Sequence, residues 1–141
     1  IMRGGDWLKH WSSTQQTVGQ SSGEAGLRGI VKGAAEGMGM QNIAKDLGIY
    51  YEIHLYIDSS AAMGMVARKG MGKVRHIGMS ELWIQDAVRN KVLTVNKVKG
   101  DDNPADILTK YIGQGKIHQH CHGMRLVPEG GRPDSAPATT S

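Results

Sequence analysis

The sequence predicts an α/β domain in which helices cover a mixed sheet, and three observations carry that prediction. Between Glu52 and Ile57 the residues alternate, with Ile53, Leu55 and Ile57 on one side and His54 and Tyr56 on the other, which is the period of a strand. From Ser21 onward Leu27, Ile30, Val31, Ala34 and Met38 recur at helical spacing. These segments and the ones that follow read in the order hairpin, helix, strand, helix, helix, strand, helix, the order of a layered α/β domain.

The elements can be justified in turn. Met2 to Gly5 and Trp7 to Trp11 flank Gly4-Gly5-Asp6, a turn signal, so the chain opens as a β-hairpin. Ser21-Ser22-Gly23-Glu24 starts the long helix, and Gly48 is placed to end it. Inside that helix Gly26, Gly29, Gly33 and Gly37 form a second stripe. Each costs about 1 kcal/mol relative to alanine, so close backbone packing is expected there. The strand ends at Asp58, and Ser59 to Ala67 is small and apolar enough for a short helix. A basic, glycine-broken loop runs from Arg68 to His76, and another helix from about Met79 to Asn90. Val92 to Val98 is rich in β-branched residues and reads as a strand. Asn103-Pro104 supplies the cap and first-turn proline of a last helix. On this reading residues 1–112 are one domain, 113–126 a C-terminal helical extension, and 127–141 a tail with almost nothing apolar to bury and therefore disordered.

Composition narrows the function classes. The 141 residues carry 17 Lys and Arg against 13 Asp and Glu, a formal charge of +4 that attracts polyanions. Nucleic acid is favoured over membrane, because no apolar run approaches the roughly 20 residues that span a bilayer. The single cysteine, Cys121, excludes an internal disulfide and fits a reducing compartment. Trp7, Trp11 and Trp83 sit on elements that must bury something and are expected in the core.

Three acids stand out by position: Glu24 in the first turn of the long helix, Asp58 where a strand passes into a helix, and Asp106 in the first turn of the last helix. Each has a structural explanation. Ser21 and Glu24 match a capping box, Asp58 suits an N-cap, and Asp106 complements a helix dipole. Together they suit magnesium, a hard cation that takes a few carboxylates plus phosphate and water. A pair of such ions about 4 Å apart can activate water on one side of a phosphodiester and stabilise the leaving oxygen on the other. His118, His120, Cys121 and His122 are a second group of potential ligands, for zinc, with solvated helix end as the plain alternative.

Five ordered blocks extend this reading: Lys9-His10-Trp11-Ser12-Ser13-Thr14-Gln15; Thr17-Val18 with Ser21-Ser22-Gly23-Glu24-Ala25; Asp58-Ser59-Ser60-Ala61-Ala62; Lys73-Val74-Arg75-His76-Ile77; and Asn103-Pro104-Ala105-Asp106-Ile107-Leu108-Thr109-Lys110. In this order they resemble the ribonuclease H domain of copia-type retrotransposon polyproteins over roughly residues 1–112. The resemblance implies a ribonuclease H-like mixed sheet flanked by helices that hydrolyses the RNA strand of an RNA–DNA hybrid, beside the reverse transcriptase portion of the same polyprotein. It implies two Mg2+ ions, or Mn2+ in their place, on four acids. Glu24, Asp58 and Asp106 match three of them as catalytic metal ligands. The fourth belongs to a first strand that this sequence lacks, and Asp6 is not its substitute.

Lys73, Arg75, His76, Ser12 and Gln15, with Lys9, are the candidates for contacts to phosphate and ribose 2′-hydroxyls, the means by which a protein distinguishes RNA strands without reading sequence. A solvated basic surface is the alternative for these residues. Ile1 opens the chain already in strand-like residues, so the segment is expected to be cut from a longer product. Without the first strand it is expected to fold poorly and to show no hydrolysis alone. If expressed, it belongs inside the cell, in a cytoplasmic particle or the nucleus. Gly26, Arg28 and Gly78 depart from the family pattern, which keeps a second reading open: a catalytically dead retroelement remnant with at most weak nucleic-acid binding.

Overall fold

A computed structural model describes residues 1–12, 21–70 and 78–127. The expected tail lies almost wholly outside the described residues, as do Gln15, Lys73, Arg75 and His76. The described residues form a mixed α/β protein with four α-helices and two small sheets among them.

Strands β1 (Met2–Arg3) and β2 (Asp6–Trp7) form the expected hairpin, antiparallel, with Met2 opposite Trp7 and Arg3 opposite Asp6. The turn is Gly4-Gly5 alone. Gly4 has φ +58, which a type II′ turn requires at its first central position and which only glycine adopts cheaply. Asp6, expected in the turn, instead opens β2.

Helix α1 (Ser22–Asp46) shows both expected ends. The Ser21 side chain accepts from the Glu24 N–H at 3.2 Å, satisfying one of the donors that a helix start leaves without a partner. At the other end Gly48 has φ +75, its N–H donates to Lys45 C=O at 2.9 Å, and the Ile49 N–H reaches Ala44 C=O at 2.9 Å, the two bonds of a Schellman motif. Ser21→Ala is expected to lower stability by about 1 kcal/mol, read from the midpoint of thermal unfolding. A loss indistinguishable from zero would mean the cap bond is not formed in solution.

Strand β3 (Ile53–Ile57) and strand β4 (Leu93–Lys97) pair in parallel, Ile53 opposite Leu93 through Ile57 opposite Lys97. A parallel pair needs a long crossover, here supplied by α2 (Ser60–Ala67) and α3 (Met79–Arg89). The alternation expected of β3 holds: Ile53 is buried, Leu55 and Ile57 half-buried, His54 and Tyr56 exposed. The inward residues meet Leu27, Ile30 and Ala34 of α1, Ala62, Met65 and Val66 of α2, Ile84 and Ala87 of α3, and Leu93 of β4 in one core.

The mixed sheet is not continuous. The antiparallel hairpin and the parallel pair are separate sheets, and among the described residues β3 pairs with β4 alone.

Three further expectations change in detail. The last helix of the domain is a 3-10 turn, Pro104–Leu108, preceded by another at Gly100–Asp102. Its start signals hold, with Asn103 accepting from the Ala105 N–H at 3.2 Å. The tryptophans stay out of the core: Trp83 is exposed, and Trp7 and Trp11 are half-buried, Trp7 edge-on to His10 and Trp11 under the Lys9 ammonium. The aliphatic side chains of α1, α2, α3, β3 and β4 fill the core, which leaves the rings at its margin. The glycine stripe is used at some positions only. A Cβ on Gly26 would lie 2.9 Å from Ala62 Cβ and one on Gly37 3.2 Å from Ile53 Cγ2, whereas Gly29 faces open space.

The extension contains α4 (Gln114–Gly123). Lys116 on α4 forms an ion pair with Asp101, and its hydrogen bond and charge hold the Asp101 carboxyl below the usual carboxylate range.

Candidate metal site at the strand and helix ends

Asp58 directly follows β3, at the end of the sheet where α/β proteins generally place their sites. The N-cap of α2 is not Asp58 but Ser59, whose hydroxyl accepts from the Ala62 N–H at 3.2 Å. The Asp58 carboxylate is therefore not the cap of α2. Lys97, at the end of β4, donates to the Asp58 C=O and to Ser60 Oγ, pinning the backbone of this corner.

Asp106 arrives from the 3-10 turn. Its C=O accepts from the Thr109 N–H at 3.1 Å and the Lys110 N–H at 2.9 Å, a tight turn that returns Lys110 over the aspartate. The Lys110 ammonium lies 3.0 Å from Asp106 Oδ1 and 3.1 Å from its Oδ2. The same ammonium is 3.8 Å from Asp58 Oδ2. Two acids 48 positions apart in sequence thus share one cation. The hydrogen bond to Asp106, then its charge, and more weakly the charge of Asp58, raise the Lys110 pKa, while desolvation opposes them. The cation is accordingly fully charged at neutral pH, and the tie loosens only as pH rises above the usual lysine range. Asp106 is the more enclosed partner, its side chain 14% exposed against 39% for Asp58.

Glu24 lies in the first turn of α1, half-buried. That turn crosses the start of α2: a Cβ on Gly26 would be 3.1 Å from Ser59 Cβ, so the backbone two residues from Glu24 touches the neighbour of Asp58. Asp58 and Asp106 are joined through a shared partner, the Lys110 ammonium. Among the described residues no three His, Cys, Asp or Glu side chains are grouped so that they could hold a metal ion. This applies equally to the C-terminal cluster, where His120 is buried and His118 and His122 are exposed.

The donor chemistry of the aspartate pair fits a hard divalent cation. Both groups are oxygen ligands, both are accessible, and a positive charge already rests between them. Lys110 is the residue that sequence reasoning missed as part of the site. Its i, i+4 spacing from Asp106 was a visible signal for that ion pair, but its reach to Asp58 was not. Of the nucleic-acid candidates, Ser12 and Lys9 are described; both are exposed, and Lys9 pairs with Glu36.

The chain is similar to the retrovirus-related Pol polyprotein from transposon TNT 1-94 of Nicotiana tabacum, with 29% identity over 109 residues. The match covers 75% of this chain and 8% of the polyprotein, so the chain corresponds to a small part of that relative. No family model matches the chain, and no solved structure matches it significantly. The similarity to the tobacco polyprotein supports an origin in a retrotransposon Pol polyprotein.

Proposed function

We propose that this chain carries out metal-dependent hydrolysis of the RNA strand of RNA–DNA hybrids, on a ribonuclease H-like fold of the copia type, within a retrotransposon Pol polyprotein. The observation that carries the reading is the convergence of Asp58 and Asp106 on a single cation at the end of the parallel strand pair. In this reading Asp58, Asp106 and Glu24 hold divalent ions, Mg2+ or Mn2+. Such ions, when bound, supply Lewis acidity to the phosphodiester and lower the pKa of water. The protein's own part is positional. Asp106, the more enclosed acid, fixes one end of the site, and Asp58 extends it toward solvent. The first turn of α1 adds the Glu24 carboxylate and helix N–H groups that favour phosphate. Lys9, Ser12, Gln15, Lys73, Arg75 and His76 are proposed to contact the hybrid backbone, and the reverse transcriptase portion of the same polyprotein is the proposed neighbour.

Mn2+ titration of the full chain, followed by electron paramagnetic resonance, tests the ligand set. Asp58→Asn and Asp106→Asn are each expected to weaken binding at least about tenfold, since each removes one of few anionic ligands. Glu24→Gln is expected to weaken it less. Cleavage of a labelled hybrid by the polyprotein segment should fall in the same order. Unchanged Mn2+ affinity in both aspartate variants would end the nuclease reading.

One observation favours a second reading, a catalytically dead remnant that binds nucleic acid weakly: Glu24 does not join the aspartates in a three-acid group among the described residues. That reading expects salt-sensitive binding of hybrid that is indifferent to Mn2+.

A further inference from the structure

The Lys110 ammonium does more than decorate the surface, because of what it touches and what holds it. Its turn is anchored by the Asn103 cap on the Ala105 N–H and by Thr109 Oγ1 donating to Ala105 C=O at 3.3 Å. These bonds place the tip of a flexible four-carbon stem between two carboxylates that would otherwise repel each other. The stem itself is 57% exposed, so the ammonium can leave for solvent without disturbing packing. A divalent ion ligated at about 2.0–2.1 Å by the same oxygens competes, by charge and for their lone pairs, with an ammonium 3.0 Å from them.

We propose that Lys110 is a tethered placeholder, its ammonium holding Asp58 and Asp106 together until a divalent cation displaces it. The proposal rests on the reading of the two aspartates as cation ligands. Lys97 gives the internal contrast. It lies at the same corner but bonds to the Asp58 C=O and Ser60 Oγ, not to either carboxylate. A general effect of nearby positive charge would involve both lysines, whereas displacement involves Lys110 alone.

Mn2+ binding to the full chain is measured at low salt for the wild type, Lys110→Met, Lys110→Arg and Lys97→Met. Lys110→Met is expected to bind Mn2+ about fivefold tighter, the order expected when two exposed ion pairs no longer compete, and the gain should shrink as KCl is added. Lys110→Arg and Lys97→Met are expected to stay close to the wild type. A second readout needs no variant: in nitrogen-15 spectra of the wild type, Mg2+ should move the Lys110 Nζ signal toward that of a free lysine. Affinity unchanged or weakened in Lys110→Met, with Asp106→Asn still impaired, would overturn the placeholder and leave the metal site standing. A Lys110 Nζ signal indifferent to Mg2+ would overturn it as well. Indifference of Mn2+ affinity to both aspartate substitutions would remove the placeholder and the metal site together.

Discussion

Ile84→Ala is expected to lower the unfolding free energy by about 2–5 kcal/mol, the largest loss of stability foreseen for a single truncation in this chain. Ile84 has no exposed surface, and it lies on α3 in the same cluster as Leu27 of α1, Val66 of α2 and Leu93 of β4. Removing its side chain takes away packing in the one cluster to which α1, α2, α3 and β4 all contribute. Among the described residues the parallel sheet has two strands, and two strands do not hold themselves together in water without a packed face. Set against a usual total of about 5–15 kcal/mol, the expected loss is a large fraction of what holds α3 and β4 in place. Ile84→Val, which removes one methyl, is expected to cost about 0.5–1.5 kcal/mol. Urea unfolding followed by circular dichroism reads both. Equal losses for the two variants would indicate that the site collapses around the cavity and that Ile84 is not a shared contact of the layers.

The parts of the fold that were legible in the sequence are those where local chemistry and tertiary burial agree. Ser21, the Leu27, Ile30 and Ala34 face, and Gly48 each mark α1 independently, and all three signals hold. The β3 alternation works because one face of the pair meets α1. Where only a start signal exists, length is not legible. Asn103 and Pro104 begin a helical turn whether it is α or 3-10, and Tyr111, fully exposed, offers nothing to bury in a second turn. Asp58 and Ser59 are adjacent, and either residue type can cap a helix; backbone geometry gives that role to Ser59 and not to the aspartate. The candidate site was legible as three acids near element ends. It was not legible as a pair bridged by Lys110, since the bridge needs the turn that carries Asp106 and Lys110 to come within ion-pair reach of the corner after β3. The tryptophans were misplaced for a related reason. Their size predicts burial, but aliphatic residues already fill the space between the layers.

Gly26→Leu and Gly29→Ala, two substitutions one helical turn apart, are expected to act in opposite directions. At Gly29 a Cβ meets nothing within 4 Å, so alanine gains helix propensity at no steric cost, and stability is expected to rise by about 0.5–1 kcal/mol. At Gly26 a Cβ would stand 2.9 Å from Ala62 Cβ and 3.1 Å from Ser59 Cβ. Neither neighbour can rotate away, because a Cβ moves only with its backbone. Leucine there must push α1 from the start of α2, at an expected cost of about 1–3 kcal/mol. The displacement falls between Glu24 and Asp58, since Gly26 is two residues from the first and Ser59 adjoins the second. In the nuclease reading, separation of these acids by about 1 Å is expected to lower hybrid cleavage by the polyprotein that contains this chain roughly 100-fold, a loss beyond what destabilisation alone gives while the protein remains folded. Mn2+ affinity should fall with it, whereas Gly37→Leu, which meets Ile53 Cγ2 at 3.2 Å three turns further along α1, should destabilise without touching the metal. If Gly26→Leu keeps the wild-type Mn2+ affinity at equal folded fraction, Glu24 does not share a site with Asp58, and the ligand set shrinks to the two aspartates that Lys110 already joins.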